Sequence, residues 1–184
     1  MGKLPFSTTP KGKCFLLLSA SRVQQLADYT SQEFEDPQID EFYKRAVSRR
    51  QIYLAKSTGI LPPSLFLHNV VRSKDIYHAD CGGFADIAQA TIKETQVCLK
   101  ILRVYAQDDH GVKQFKAFLR EVLLWSRLSH PNILPFLGAQ MNEGLRFVLI
   151  SPWMKNGNLR AFLKANPDHD RLKAVRQLRD LVEK

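Results

Sequence analysis

Apolar residues recur with two different periods along the chain, and the change from one to the other falls near Gly59. Between Ser21 and Thr58 the spacing is that of amphipathic helices, interrupted once at Pro37, which removes a backbone donor. We therefore expect a two-helix extension over 21–58, with Gly59 as the residue that ends the second helix. Its apolar positions are Val23, Leu26, Ala27 and Phe34, followed by a stripe of Ile39, Phe42, Tyr43, Ala46, Val47 and Tyr53.

Beyond Gly59 the apolar segments are short, rich in β-branched or aromatic residues and separated by turn residues, which is typical of strands. One long helix interrupts them over 112–128, with apolar residues at helical spacing on one face. The pattern predicts an α+β fold, and residues 1–20 are expected to be a flexible basic tail. The expected strands are 65–71, 75–81, 84–92, 95–104, 136–141 and 145–151, with hairpin turns at Gly82-Gly83 and Lys93-Glu94 and further helices over 158–166 and from Asp170.

Composition narrows the class of protein. Hydrophobic residues make up 45% of the chain, enough for a folded core, and no apolar run approaches the ~20 residues that span a bilayer. The net charge of +9 is spread singly rather than in blocks, which favours solvated helix faces over a specific nucleic-acid surface. Three cysteines without C-x-x-C spacing, and the lack of a signal-peptide pattern, favour reduced thiols in the cytoplasm.

Four local patterns could carry chemistry, and each has an ordinary structural alternative. The glycines of Asp80-Cys81-Gly82-Gly83-Phe84-Ala85 could expose N–H groups to a phosphate, or simply form a hairpin turn. Lys100, within an apolar strand, implies a carboxylate or phosphate nearby. Glu121 fits either an ion-pair partner for that lysine or the polar edge of the long helix. The segment 151–159 connects a strand to a helix.

Taken in this order and spacing, the four patterns resemble the N-terminal lobe of a eukaryotic protein kinase, in which a glycine-rich loop precedes a strand lysine and a helix glutamate. Within that family, the motifs are most similar to those of the tyrosine-kinase-like branch, specifically its fungal members. The resemblance implies a sheet of about five antiparallel strands with helix αC and an incomplete helical second lobe, within a kinase domain over 59–184 that stops inside αE. Further similar segments are His130-Pro131-Asn132-Ile133-Leu134, Gly59-Ile60-Leu61-Pro62-Pro63 and Asn156-Gly157-Asn158-Leu159.

The resemblance also implies roles for single residues. Lys100 would hold the α- and β-phosphates of ATP and pair with Glu121. Ser151 falls at the gatekeeper position, and His130 is expected to be a hydrogen-bonding turn residue rather than a catalytic acid or base. The remaining expected ATP contacts are the loop residues Gly82, Gly83, Phe84 and Ala85, the adenine-covering Ile87 and Cys98, the carbonyl of Pro152 and the backbone N–H of Met154.

Departures from the family pattern limit what this chain is expected to do. Asp80 and Ala85 stand where the family has glycines, and a carboxylate at Asp80 would repel phosphates unless a cation intervenes. The sequence contains no H-R-D and no D-F-G, the motifs that supply the catalytic Asp and the Mg²⁺ ligands. We expect an ATP-binding lobe that is inactive alone, with a protein substrate or protein partner. The alternative is a non-catalytic interaction or regulatory protein of kinase-like fold; nucleic-acid binding through the basic last third is a weaker one.

Overall fold

The computed structural model describes residues 19–72, 85–102, 109–142 and 146–171. The chain divides into two compact units, one formed by residues 1–66 with 104–124 and the other by residues 67–103 with 125–184. The helices are α1 (Ala20–Glu35), α2 (Glu41–Thr58), α3 (Asp109–Trp125) and α4 (Leu159–Ala165), with one 3₁₀ turn at Pro63–Leu65, and the strands are β1 (Val71–Arg72), β2 (Ala85–Ile92), β3 (Thr95–Leu102), β4 (Gly138–Asn142) and β5 (Arg146–Pro152).

The first unit contains the two helices expected over 21–58. Helix α1 ends just before Pro37, and α2 begins at an N-cap where Asp40 accepts a hydrogen bond of 2.7 Å from the backbone N–H of Tyr43. Helix α2 ends at Gly59, whose φ of 75° is left-handed and whose N–H donates to the carbonyl of Ala55 at 2.7 Å. The two-helix prediction and the role of Gly59 are confirmed.

The face on which α2 packs differs from the expected apolar stripe. Of that stripe only Val47 is buried, whereas Phe42 is 79% exposed, Tyr43 39% and Tyr53 48%. The residues of α2 that are buried are Val47, Gln51, Leu54 and Ala55. The expected apolar stripe thus contributes only Val47 to the buried face of α2.

A hydrogen-bonded glutamine explains that difference. Leu54 packs with Val23 and Ala27 of α1, and Gln51 lies in the same buried seam. Its amide nitrogen donates to the carbonyl of Ala27 at 3.3 Å and to the Ser31 hydroxyl at 3.1 Å. Because a buried polar group is tolerated when it is hydrogen-bonded, this face can bury a glutamine while three aromatic residues stay outside.

The second unit contains a five-stranded antiparallel sheet in the order β1-β2-β3-β5-β4, of which β1 is only two residues long. The β2–β3 hairpin closes on Lys93 and Glu94, which both have positive φ, 44° and 68°. Two left-handed residues in a two-residue loop define a type I′ turn, whose twist matches that of the flanking strands. The predicted strands at 84–92, 95–104, 136–141 and 145–151 are confirmed within one or two residues over their described parts.

The predicted strand at 65–71 is wrong. Pro63 opens a 3₁₀ turn there, and the left-handed Asn69, with φ of 64°, interrupts the extended backbone, so pairing with β2 begins only at Val71. The segment still lies along the sheet, because the N–H of Leu67 donates to the carbonyl of Ala139 at 3.0 Å and Gln140 donates to the carbonyl of Leu67. The expected strand at 75–81 lies outside the described residues.

One face of the sheet carries the core of the second unit. Side chains that alternate along β2, β3 and β5 are fully buried there, with Leu67, Val70 and Ile92 packed against them. The members of this core are Ala88, Ala90, Val97, Leu99, Ile101, Val148 and Ile150. The opposite face is partly covered as well, because Phe147 and Leu149 of β5 are buried there.

Candidate functional site

Strand register brings four of the predicted site residues onto the face opposite the core. Ile87 pairs with Lys100, and Cys98 pairs with Ser151. Directly paired residues of antiparallel strands point to the same side of the sheet, as do residues two apart along a strand. Ile87, Cys98, Lys100 and Ser151 therefore share one face.

The four side chains on this face differ in how deeply they are buried. Ser151 is buried, at 5% exposed, whereas Ile87, Cys98 and Lys100 are half-buried. A half-buried lysine on the same face as an isoleucine and a cysteine can attract an anion with its ammonium while the neighbouring side chains contact an apolar group. The face is thus suited to a ligand with an apolar body and an anionic end.

The connector after β5 is held by backbone hydrogen bonds. The N–H of Trp153 donates to the carbonyl of Gln96 at 3.2 Å, which ties the connector to the start of β3. The carbonyl of Met154 accepts from Gly157 at 3.0 Å, and Gly157 has a left-handed φ of 70°. Within the described ranges, no residue accepts a hydrogen bond from the N–H of Met154, a residue 46% exposed. That N–H is available to a ligand.

The end of the connector is a capped helix start. The side-chain oxygen of Asn158 accepts a hydrogen bond of 2.8 Å from the N–H of Ala161, and α4 begins at the next residue, Leu159. Pro152, the last residue of β5, pairs with Val97 and can offer only a carbonyl because it has no N–H. The expected helix at 158–166 is confirmed.

Glu121 lies on α3 in the first unit and is half-buried. Seven residues earlier on the same helix, the side-chain oxygen of Gln114 is buried and lacks a hydrogen-bond donor among the described residues. The two residues are two helical turns apart and so lie on the same side of α3. The pairing of Glu121 with Lys100 stays a prediction.

The loop expected to approach the phosphates falls mainly outside the described residues. Asp80, Gly82, Gly83 and Phe84 belong to that part of the chain. Ala85 is the first residue of β2 and is buried. Because it precedes Ile87 by two positions, it stands on the same face as the four residues above.

The turn after α3 has the structural role expected for His130. Its Nδ1 accepts a hydrogen bond of 3.1 Å from the N–H of Asn132, and its carbonyl accepts one of 3.0 Å from Ile133. Helix α3 ends at Trp125, three residues earlier than predicted, and the Trp125 indole donates to the carbonyl of Leu134 at 2.7 Å. This hydrogen bond spans the turn that follows α3. Residues 126–128 belong to that turn, although the sequence pattern predicted them to be helical.

The sequence analysis missed further residues of this sheet face, among them the half-buried Gln89 and the fully buried Leu149. Gln89 pairs with Cys98, and Leu149 pairs with Lys100. The first could have been found: a two-residue turn at Lys93-Glu94 fixes the register of the hairpin and thus sets Gln89 opposite Cys98. Leu149 depends on pairing between strands distant in sequence, for which no local pattern exists.

Two further kinds of site were searched for. In the ranges that the structure describes, no three His, Cys, Asp or Glu side chains lie close enough together to hold a metal ion. None of the described helices has the length and apolar character needed to cross a membrane.

Comparison with known proteins shows which family the chain is similar to. A family model for protein tyrosine and serine/threonine kinases matches residues 76–182. The chain is 32% identical over 96 residues to the dual specificity protein kinase zakA of Dictyostelium discoideum, an alignment that covers 50% of this chain and 12% of that protein. It is 27% identical over 179 residues to the L-type lectin-domain containing receptor kinase IV.2 of Arabidopsis thaliana, covering 83% of this chain and 25% of the relative. The chain thus spans a quarter or less of these relatives.

Proposed function

Because the chain belongs to the protein tyrosine and serine/threonine kinase family, we propose that the sheet face that carries Lys100 binds ATP. The observation that carries this proposal is the shared face of Lys100, Ile87 and Cys98, which joins one cation to two apolar contacts. The open N–H of Met154 supports it, since a purine presents ring nitrogens that accept hydrogen bonds. The tyrosine-kinase-like style, which the Dictyostelium and Arabidopsis relatives support, is part of the proposal, and its fungal type stays a prediction.

Within this proposal the apolar and charged parts of the face have separate tasks. Ile87 and Cys98 cover the adenine ring, and the Pro152 carbonyl and Met154 N–H contact its edge. Lys100 contacts the α- and β-phosphates, where its ammonium is compensated by their negative charge. The family resemblance implies that Glu121 orients Lys100 as an ion-pair partner. The resemblance assigns phosphate contacts to Gly82, Gly83, Phe84 and Ala85, of which the structure describes only Ala85, at the start of β2.

The proposal is limited to nucleotide binding by these 184 residues. In this family the residues that would hold Mg²⁺ at the ATP phosphates are an Asp of the D-F-G segment and an Asn of the H-R-D segment. Neither motif occurs in the sequence, so the residues present do not supply that carboxylate-rich site. We derive no phosphoryl-transfer step for them. Protein substrates belong to the proposal only at the level of the family.

A second candidate function is a non-catalytic interaction protein with the same fold. It is favoured by Asp80, a carboxylate at a position where the family has a glycine and where phosphate would approach. The two candidates differ in one property: the interaction protein needs no affinity for nucleotide. Asp80→Gly should tighten binding if the first candidate is correct and should have no effect under the second.

Calorimetric titration of the 184-residue chain with Mg·ATP tests the proposal. We expect saturable binding that weakens by about 10- to 100-fold in Lys100→Met, because a charge-assisted contact contributes about 1.5–3 kcal/mol. Lys113→Met is the matched control, since Lys113 is an exposed lysine on α3 and its loss should leave affinity unchanged. No heat of binding, or equal affinity in Lys100→Met and Lys113→Met, would overturn the proposal.

A further inference from the structure

The hairpin of α1 and α2 leaves an apolar groove that nucleotide binding does not use. The two helices run antiparallel, since Tyr43 at the start of α2 donates to Glu33 near the end of α1. The groove between them has a volume of about 660 Å³, and the buried Gln51 and Leu54 contribute to its floor. Exposed apolar patches are normally small on a monomer, so such a groove indicates a contact site. Its exposed apolar lining residues are Leu26, Tyr29, Tyr43 and Tyr53.

The arrangement of the lining residues fits a third helix. On each wall they recur at intervals of three, four or seven residues, which places them in one row along the helix. A channel between two such rows is the seat into which an amphipathic helix packs, with its own apolar residues at the same intervals. The rows are Leu26, Tyr29 and Glu33 on α1, and Tyr43, Arg50 and Tyr53 on α2.

Basic residues dominate the side of the hairpin on which the groove lies. Arg49 and Arg50 line the groove, and Arg22 lies on the same side of α1 because it precedes Leu26 by four residues. All three arginines are exposed, and none of them has an ion-pair partner among the residues that the structure describes. Their guanidinium groups are therefore available to a ligand.

The acidic residues of α1 do not neutralise that charge. Glu33, which lines the groove, accepts a hydrogen bond of 3.4 Å from the Tyr43 hydroxyl and another from Tyr29, whose pKa it raises. Asp28 and Glu35 each follow a lining residue by two positions and so lie on the far side of α1. Three arginines thus accompany one carboxylate that already has two phenol partners, and the complementary ligand is acidic.

We propose that the groove binds an amphipathic helix of a partner protein, with apolar residues at intervals of three and four and acidic residues along its flanks. The apolar residues lie between the two rows, against Tyr29 and Tyr53. The carboxylates meet the three arginines, each of which can donate two parallel hydrogen bonds to one carboxylate. Tyrosine and arginine are also among the residues that contribute most to the energy of protein contacts.

Charge and shape distinguish this occupant from three others. Residues 1–18 carry three lysines and no acidic residue, so the arginines of the groove would repel them. A second copy of the chain approaches against the repulsion of two net charges of +9. An anionic membrane has the correct charge, but a flat bilayer contacts a projecting helix face, whereas Gln51 and Leu54 lie at the bottom of a groove.

Selection from a phage-displayed library of random 18-residue peptides, the length of α2, tests the proposal with the 184-residue chain as target. We expect the enriched peptides to carry a net negative charge and to place apolar residues at intervals of three and four. Fluorescence anisotropy of an enriched peptide should show at least about tenfold weaker binding to Arg50→Glu and to Tyr53→Ala, as removal of a central contact does. Added salt should also weaken this binding, because the charge pairs are screened.

Matched controls come from the second unit. Arg160→Glu makes the same charge change on exposed α4, and Leu128→Ala truncates an exposed apolar residue after α3; both should leave the peptide affinity unchanged. Circular dichroism checks that each variant keeps its helices. The proposal is overturned if no peptide is enriched, if the enriched peptides are basic or lack helical periodicity, or if Arg50→Glu and Tyr53→Ala leave the affinity unchanged. Binding of phosphatidylserine vesicles or formation of a dimer through these two residues, in place of peptide binding, would overturn it as well.

Discussion

Replacing Gly59 by alanine should destabilise the first unit through two separable effects. Gly59 ends α2 in the left-handed region, with φ of 75°. An alanine there would place its Cβ 3.3 Å from Cε1 of Phe115, a side chain that is almost fully buried. The first effect is backbone strain, and the second is a close contact that the Phe115 ring can relieve only by moving a few tenths of an ångström. Both oppose folding.

The structure allows each effect to be estimated. Left-handed backbone costs an alanine about 1 kcal/mol relative to glycine. A slight overpacking against a buried ring adds about 1 kcal/mol, the lower end of the usual range for inserted methyl groups. Gly59→Ala should thus lower the free energy of unfolding by about 2 kcal/mol. Gly157→Ala is the matched control, because Gly157 has φ of 70° and no atom within 4 Å of the added Cβ, so about 1 kcal/mol is expected.

Urea unfolding followed by circular dichroism measures both variants. In a double-mutant cycle, Phe115→Leu removes the ring atom that Cβ would approach, so the cost of Gly59→Ala should fall by about 1 kcal/mol in that background. Equal losses for Gly59→Ala and Gly157→Ala, together with no coupling to Phe115, would refute the contact. Unchanged stability in both variants would refute the strain as well.

Three further predictions concern local features. Lys93→Asn with Glu94→Gly should raise the free energy of unfolding by about 1 kcal/mol in urea titrations, because both turn residues have positive φ; lower stability would contradict the type I′ turn. Asp40→Ala should cost about 1 kcal/mol of helix stability in the same assay by removing the N-cap of α2, and a neutral result would contradict that cap. The pKa of Tyr29 is raised above 10 by its hydrogen bond to Glu33 and by that carboxylate's charge, so the stabilising contact is present below pH 10 and is lost as pH rises through the raised pKa. Ring-labelled tyrosine NMR should show that Glu33→Gln lowers this pKa towards 10, and no movement would exclude the contact.

The parts of the fold that could be predicted are determined by the backbone preferences of single residues or of short turns. Pro37 and Gly59 act through their own backbone restrictions, so the ends of α1 and α2 could be placed from single residues. The Lys93-Glu94 turn likewise fixes the β2–β3 hairpin. The family resemblance supplied the candidate site, and strand register then brought its central residues to one face.

The predictions that failed concern features that depend on contacts between residues distant in the sequence. The apolar pattern of α2 could not show that Gln51 would be buried, because its hydrogen-bond partners Ala27 and Ser31 belong to α1. The helical spacing places Phe42 in the apolar stripe of α2, whereas its exposed position depends on where α1 lies. The strand expected at 65–71 failed at Asn69, whose left-handed backbone is not dictated by the apolar pattern around it.

NMR of the chain with methyl-labelled isoleucine tests the central claim most directly, because three isoleucines of the sheet divide between its two faces. Ile87 belongs to the proposed ATP-binding face, whereas Ile101 and Ile150 belong to the core. On titration with Mg·ATP, the account predicts saturable shifts for the Ile87 methyl groups and the Met154 amide, with Ile101 and Ile150 nearly unmoved. An unmoved Ile87, or shifts as large at Ile101 and Ile150, would contradict it.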